Sequence, residues 1–161
     1  GLKIHNFYIP AGGDIPDTKL NEKFKHKINF IEELKEKIFL HQQKKTVILG
    51  DFNIAPLPDD VWSHKALLNV VSHTEQETTL LREFMEQGKW VDVFRKHFPS
   101  GKLYSWWSYR ARDWKISNRG RRLDHIWASP DLAKKSKKCK IYSNIRGWDR
   151  PSDHVPILSI F

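Results

Sequence analysis

The sequence predicts a mixed α/β (α+β) fold in a single domain covering residues 1–161. Helical and strand-like periodicities alternate over the first half of the chain, and strand-like segments dominate the second half. A length of 161 residues suits one domain. The hydrophobic fraction of 39% is sufficient for an ordinary core, which excludes a wholly disordered chain.

The first predicted elements are a strand and a long helix. Alternating apolar residues over 2–9 indicate a strand that ends at the turn-forming residues 10–14. Apolar residues recur at steps of three and four from Phe24 to Ile38, so we expect an amphipathic helix over about 21–41. The charged residues between them are predicted to form its solvent-exposed face: Lys23, Lys25, Lys27, Glu32, Glu33, Glu36 and Lys37.

A buried strand and a second helix follow. The short apolar run over 46–49 contains β-branched residues and predicts a buried strand, which ends at the sequence Gly-Asp-Phe-Asn over 50–53. A helix is predicted over Glu75–Gln87, with Gly88 as its stop. The apolar residues after this helix are expected to pack against the core: Trp90, Val91, Val93, Phe94 and Phe98.

Strands are predicted to dominate the remainder of the chain. Apolar stretches indicate strands over 103–109, 123–128 and 155–161, with a shorter candidate over 141–145. The lysine-rich run over 134–140 is interpreted as a solvated loop. The combination of early alternation and late strands predicts a mixed sheet.

Charge and cysteine content narrow the functional classes. The chain has 28 Lys and Arg against 19 Asp and Glu, and the net charge of +9 predicts attraction to a polyanion such as nucleic acid. The single cysteine excludes a disulfide scaffold and fits a reducing compartment, so we predict a cytoplasmic location. No segment approaches the ~20 consecutive apolar residues that cross a bilayer, so no membrane association is expected.

The end of the strand over 46–49 is the first candidate site. Asp51 and Asn53 are two residues apart, so strand alternation directs both side chains to one side, while Phe52 turns to the other. A carboxylate there can take a proton from water, and an amide can bind a phosphate oxygen. The alternative is a capped turn, because Asp and Asn favour such positions.

Two further motifs place acidic and imidazole groups beside strands. Asp153 and His154 immediately precede the last strand, where one can bind a metal and the other can handle a proton. Asp124 and His125 begin another strand, where a carboxylate can orient an imidazole. Carboxylate and amide oxygens are hard ligands, so the metal expected from these motifs together is Mg²⁺, with Mn²⁺ as an alternative.

The positive charge is concentrated between residues 101 and 122. Seven basic residues and one acid give this stretch a net charge of +6, and five aromatic residues are interleaved with them. Arginines bind phosphates, and flat rings stack on bases or enter an opened duplex. The residues predicted to contact DNA are Trp106, Trp107, Arg110, Arg112, Asn118, Arg119 and Arg121. At least one of the two adjacent tryptophans is expected to be buried.

Three motifs occur in an order that resembles one known family. They are GDFNIAP over 50–56, NRGRRLDHIWAS over 118–129 and PSDHVPI over 151–157, and NFYIPAGGD and YSWWSYR add to the similarity. The chain resembles the later part of the exonuclease III family of apurinic/apyrimidinic endonucleases, within the endonuclease/exonuclease/phosphatase superfamily. The resemblance implies part of a four-layered α/β sandwich with mixed sheets. It also implies Mg²⁺-dependent hydrolysis 5′ to abasic sites and 3′-to-5′ exonuclease activity, with double-stranded DNA as the partner.

The resemblance implies roles for individual residues. Tyr8 matches a tyrosine that contacts the scissile phosphate, and Asp51 matches the aspartate proposed to activate water; which of the two is the general base stays open. Asn53 matches an amide that orients water and phosphate, and Asp124 matches the carboxylate paired with the catalytic histidine, His154. Trp106 falls where the family has an aromatic residue near the abasic pocket. The implied metal ligands are Asp51, Asn53 and Asp153.

The chain departs from the family at its beginning. Family members carry an asparagine and a metal-binding glutamate in an earlier half that has no counterpart here. We therefore expect a fragment with little or no activity alone and an exposed apolar sheet face that promotes self-association. Two alternatives stay open: another phosphodiesterase of the superfamily, such as a nonspecific DNase or a phosphatase, and a DNA-binding remnant without catalysis.

Overall fold

A four-stranded mixed sheet forms the centre of the computed structural model, which describes residues 1–37 and 44–161. Its strands are ordered β1-β2-β6-β3, with β1 parallel to β2 and the other neighbours antiparallel. Two antiparallel ribbons, β4–β5 and β7–β8, pair separately from this sheet. The predicted mixed α/β fold with a mixed sheet is confirmed. The strands are β1 (Lys3–Tyr8), β2 (Thr46–Asp51), β3 (Val91–Asp92), β4 (Trp106–Trp107), β5 (Gly120–Arg121), β6 (Asp124–Ala128), β7 (Lys138–Ile141) and β8 (Ile157–Ile160).

Within the described residues, two long helices and four short ones accompany the strands. Helix α3 begins with a capping box in which Thr74 and Glu77 bond reciprocally to the helix N-terminus, and it ends at Gly88, as predicted. The predicted helix over 21–41 is observed as α1, and its expected continuation over 38–41 lies outside the described residues. The helices are α1 (Glu22–Lys37), α2 (His64–Leu67), α3 (Glu75–Gln87), α4 (Val93–His97), α5 (Trp114–Ser117) and α6 (Pro130–Ala133).

The core lies on both faces of the central sheet. On one face, α1 and α3 pack their apolar residues against side chains that include Ile48 and Trp127. On the other face, Val47 and Ile126 contact a second cluster that includes Phe94 and Cys139. Parallel pairing between β1 and β2 requires Gly50 at its position, since a Cβ there would lie 2.0 Å from the carbonyl oxygen of Phe7.

Several predicted elements differ from the structure. The strand expected over 103–109 is reduced to β4, because the N–H of Leu103 donates to the carbonyl oxygen of Asp59 in a 3₁₀ helix instead of to a neighbouring strand. The expected strand over 141–145 is wrong, since Ser143–Gly147 forms a 3₁₀ helix. The lysine-rich run is not all loop: Cys139 alternates inward between exposed lysines, which gives the period of strand β7.

Two side chains lie where they were not expected. Phe98 is 41% exposed instead of packed in the core. Lys27 is fully buried, although it was assigned to the solvent-exposed face of α1. Lys23, Lys25, Glu32, Glu33 and Glu36 are exposed, as predicted.

Some apolar side chains of the described residues face solvent. Ile4 on β1 is 60% exposed, and Leu158 and Ile160 on β8 are also exposed. Self-association through such a face stays a prediction. Among the described residues, no helix combines the length and apolar character needed to span a bilayer.

Candidate active site

Three polar side chains form a row across neighbouring strands. Tyr8 of β1 pairs with Asp51 of β2, and Asp51 pairs with Asp124 of β6. Directly paired residues lie on the same face of a sheet, so the three side chains are neighbours at one end of these strands. Tyr8 is the most exposed member, at 69%. Residues far apart in the chain are thus brought to one place.

A tight turn brings Asn53 back onto Asp51. The backbone of Asn53 is left-handed, with φ of 51°, a conformation that Asn tolerates better than most residues. Its N–H donates to Asp51 Oδ1 at 2.8 Å, and its Nδ2 donates to Asp51 Oδ2 at 3.1 Å and to the carbonyl oxygen of Ile9 at 2.8 Å. Both amide protons are therefore used, which leaves the amide oxygen to accept from a ligand or to bind a cation.

The surroundings of Asp51 raise the pKa of its carboxyl group. Burial raises its pKa above the ordinary value, and the nearby negative charge of Asp124 acts in the same direction. The hydrogen bond from the Asn53 N–H and the positive charge of His154 partly oppose this shift. A carboxylate with a raised pKa is a better proton acceptor than one exposed to water.

His154 stands between the two aspartates. Its Nδ1 lies 2.8 Å from Asp124 Oδ2, and its Nε2 lies 3.8 Å from Asp51 Oδ2. Burial lowers the pKa of His154, but the hydrogen bond to Asp124 and the surrounding carboxylate charges outweigh it, and the pKa is raised overall. Asp124 and His154 are thus in contact, as the resemblance implied. The raised pKa favours the imidazolium form of His154.

The neighbouring His125 has a different environment. It is fully buried, stacks on Phe52 and shares its Nε2 with the carbonyl oxygen of Ile54 at 2.8 Å. Its Nδ1 has no hydrogen-bond partner among the described residues, and burial together with the charge of Arg122 lowers its pKa to about 4. Asp124 therefore orients the distant His154, and adjacent His125 is a core residue.

The donor set fits a hard divalent cation. Asp51, Asp124 and His154 offer ligand atoms that all lie within 4.8 Å of one another, and the amide oxygen of Asn53 lies on the same turn as Asp51. The carboxylate of Asp153, a sequence-predicted ligand, is outside this group and accepts a hydrogen bond from Trp106 Nε1 at 2.9 Å. Oxygen-rich sets of this kind suit Mg²⁺ or Mn²⁺.

Ser105 fixes the strand that carries Asp124. Its hydroxyl oxygen accepts from the backbone N–H groups of Leu123 and Asp124, both at 3.0 Å, and its carbonyl oxygen accepts from Val155 N at 2.8 Å. One buried residue therefore holds the backbone next to Asp124 and next to His154. Ser105 could not be predicted as a site residue, because a serine between aromatic residues carries no distinctive signal.

A cavity of about 650 Å³ opens beside Asn53. Two tryptophans in its wall are each covered by a guanidinium group: Arg119 lies 4.8 Å from the ring centre of Trp62, and Arg121 lies 5.2 Å from that of Trp106. The Nη1 of Arg121 also donates to the carbonyl oxygen of Val71 and to the Ser72 hydroxyl. The wall is thus both aromatic and positively charged, which suits a nucleotide.

The residues predicted to contact DNA are divided by the structure. The prediction that Trp107 contacts DNA is wrong. Trp107 is 3% exposed and packs edge-to-face on Tyr104 and Trp114, so it is a core residue. The side-chain oxygen of Asn118 accepts from Trp107 Nε1 at 3.0 Å. The remaining members are accessible, with Trp106 and Arg121 half-buried and the following residues exposed: Arg110, Arg112, Asn118 and Arg119.

Trp62 and Lys27 lie at the site without having been predicted there. Trp62 is an aromatic residue in a loop after two prolines, and nothing in its local pattern separates a cavity wall from a surface ring. Lys27 did carry a signal, because it lies three residues after Phe24 and four before Ile31, on the apolar face of its helix.

The chain is similar to known proteins in both sequence and structure. The chain is 36% identical to an exodeoxyribonuclease of Bacillus subtilis, a match that covers 97% of the chain and 60% of that protein. It superposes on an AP endonuclease of Archaeoglobus fulgidus with a TM-score of 0.90 and 32% identity, covering 98% of the chain and 60% of that structure.

A third match comes from a structure that holds nucleic acid. It is a 3′ phosphatase from Neisseria bound to product DNA hairpin, with a TM-score of 0.86 and 28% identity over the whole chain and 61% of that structure. The chain thus spans about 60% of the length of these proteins. The sequence profile of the endonuclease/exonuclease/phosphatase family matches residues 6–154. The chain therefore belongs to the endonuclease/exonuclease/phosphatase family.

Proposed function

We propose that the chain forms the catalytic part of a Mg²⁺-dependent DNA repair nuclease that hydrolyses the backbone 5′ to abasic sites and degrades or cleans 3′ ends. The observation that carries this proposal is the cluster of Asp51, Asp124 and His154 beside a cavity lined with arginine and tryptophan. The names of the relatives support it, since they describe an exodeoxyribonuclease, an AP endonuclease and a 3′ phosphatase.

In the proposed reaction, Asp51 accepts a proton from the attacking water. Its raised pKa favours this role, and two hydrogen bonds from Asn53 hold its carboxylate in one orientation. Tyr8 is exposed at the open end of the row, where its hydroxyl can contact the phosphate. Asn53 presents its amide oxygen to the water.

His154 stabilises the negative charge that develops on the phosphate. Asp124 fixes the imidazole through Nδ1, so Nε2 is directed toward the space beside Asp51. The raised pKa of His154 keeps it protonated over more of the physiological range. Asp51, Asp124 and Asn53 would hold the metal ion, which when bound neutralises phosphate charge and stabilises the leaving oxyanion.

The DNA backbone is proposed to cross the basic surface formed by Arg110, Arg112 and Arg119. The cavity between Trp62 and Trp106 then accepts the displaced sugar, and Arg121 supplies a donor to its oxygen atoms. Guanidinium groups suit this task because they combine planar stacking with several hydrogen-bond donors.

The test measures cleavage of four substrates in Mg²⁺ and in EDTA. They are a duplex with one abasic site, the same duplex undamaged, a hairpin with a 3′-phosphate and a soluble phosphoinositide headgroup. Each is offered to the chain alone and to a chimera in which the unmatched portion of the Bacillus relative is joined to it. Asp51→Asn is the inactivating variant, and Asp59→Asn, at a half-buried acid outside the cluster, is the matched control.

We expect the chimera to cleave the abasic and 3′-phosphate substrates only with Mg²⁺, and the chain alone to cleave them weakly. Asp51→Asn should abolish this cleavage, and Asp59→Asn should preserve it. Preference for the phosphoinositide headgroup would instead indicate another phosphodiesterase of the family. Salt-dependent DNA binding without cleavage by the chimera would indicate a DNA-binding remnant.

A further inference from the structure

One buried ion pair lies under the candidate active site and has no part in the chemistry described above. Lys27 of α1 and Glu77 of α3 are both 0% exposed, and Lys27 Nζ lies 2.5 Å from Glu77 Oε1. Burying two charges is costly, and replacing such a pair by apolar groups is often neutral for stability. The position of the pair therefore calls for a role other than stability alone.

The ammonium group of Lys27 has three donors, and the structure provides three acceptors. Besides Glu77, Nζ donates to the carbonyl oxygen of Asn53 at 2.8 Å and to that of Ala11 at 3.3 Å. Ala11 belongs to the loop after β1, and Asn53 belongs to the turn after β2. One side chain thus joins the two loops that flank the site.

The contact with Lys27 supports an unusual turn at Asn53. Its left-handed backbone is sparsely populated by residues with a side chain, and it is what returns the Asn53 amide onto Asp51 and onto the Ile9 carbonyl. With Lys27 on its carbonyl and Ile9 and Asp51 on its side chain, Asn53 is held from both sides.

Glu77 is itself held rigidly. Its two oxygens accept from the backbone N–H of Ser72 at 3.0 Å, and one of them also accepts from the N–H and hydroxyl of Thr74 at the start of α3. Gly12 leaves room for the lysine, since a Cβ there would lie 2.8 Å from Lys27 Cδ. The lysine is therefore fixed at its charged end and along its stem.

We propose that Lys27, fixed by Glu77, is a positioning residue that sets the Asn53 turn and thereby the joint orientation of Asp51 and Asn53. This inference rests on the proposed function, because it assigns the turn to cation and phosphate binding. Supporting groups behind a metal ligand typically alter metal affinity by about 10- to 100-fold when removed. The loss expected for Lys27 is of that order.

The experiment compares Lys27→Met, the double variant Lys27→Met/Glu77→Gln and the control Lys25→Met, an exposed lysine on the same helix. The first readout is the side-chain amide cross-peak of Asn53 in ¹⁵N-labelled protein, assigned by its loss in Asn53→Asp. The second is the Mn²⁺ concentration that half-broadens this peak. The third is the free energy of unfolding in urea. None of these readouts depends on cleavage.

In Lys27→Met, we expect a shifted Asn53 cross-peak, a Mn²⁺ midpoint raised about tenfold and reduced stability. The double variant leaves no unpaired buried charge, so its stability should recover toward that of the parent, while the cross-peak and the Mn²⁺ midpoint should remain altered. Lys25→Met should match the parent in all three readouts. If Lys27→Met does not fold, the double variant decides.

The proposal is overturned if either folded variant keeps the parent's Asn53 cross-peak and Mn²⁺ midpoint. It is also overturned if the double variant does not fold, because the pair would then serve folding rather than the turn. If Mn²⁺ does not broaden the Asn53 cross-peak of the parent chain, the metal-binding part of the proposed function is wrong. The role of Lys27 is then tested by the position of the Asn53 cross-peak alone.

Discussion

Removing the hydroxyl of Ser105 tests whether one buried side chain fixes the strand that carries Asp124. Ser105 is 0% exposed, and its oxygen is the acceptor for the N–H groups of Leu123 and Asp124. Ser105→Ala leaves both donors without a partner, at a cost of about 1 to 3 kcal/mol for each buried group. We expect the free energy of unfolding to fall by about 2 to 6 kcal/mol.

The measurement is urea unfolding followed by tryptophan fluorescence, with thermal unfolding as a second observable. A loss of about 3 kcal/mol corresponds to roughly 6 to 12 °C in a domain of this size. Ser108→Ala is the matched control: it removes the same atom from a nearby residue whose hydroxyl accepts from Arg110 N at 3.2 Å near the surface. The control should change stability by less than about 0.5 kcal/mol.

The same variant should disturb the site as well as the fold. The N–H resonances of Asp124 and Val155 should move in Ser105→Ala and stay in place in Ser108→Ala, because Ser105 contacts the backbone of both residues. If Ser105→Ala lies within 0.5 kcal/mol of the parent, another acceptor serves the two N–H groups and the reasoning is refuted.

Two further predictions concern buried charge. Asp60→Asn should cost about 3 to 5 kcal/mol in urea unfolding, because it leaves the fully buried Arg122 short of a charged partner. Asp59→Asn, at a side chain that is 42% exposed, should be nearly neutral, and equal effects would contradict this. The pKa of His125 is about 4 in the folded protein, against an ordinary value of 6.5. The contribution of neutral His125 to the free energy of unfolding is therefore complete above pH 6.5 and is lost as the pH falls through 4. We expect about 2 kcal/mol less stability at pH 5 than at pH 7 from this group, and His125→Gln should lack that part of the pH dependence.

Local patterns were enough to predict the main elements. The apolar spacing of α3 and its glycine stop placed its bounds, and the β-branched run before Asp51 predicted β2. The same patterns failed for residues 103–109, where strand-like alternation is present but continuous pairing is not. Pairing depends on which segment lies alongside, and a single sequence does not contain that information.

The candidate site was predicted through its motifs and assembled only by pairing. Strand-end positions suggested Asp51, Asp124 and His154 one at a time. Register between β2 and β6 brought the two aspartates together, and the segment before β8 placed His154 within 4.8 Å of them. The sequence placed Asp124 beside His125, yet the opposite faces of a strand send these neighbours to different environments. Adjacency in the sequence therefore does not show which histidine Asp124 contacts in the folded protein.

By itself, the sequence determined the types of the main elements, the basic stretch before Asp124 and the residue types of the site, because periodicity, composition and motif spacing are local properties. The tertiary structure decided which of these residues act together. It buried Trp107 in the core, placed Trp62 in the cavity wall and turned Lys27 inward to Glu77 and Asn53. Those outcomes depend on what each side chain meets after packing, since burial and partner geometry arise only when distant segments come into contact.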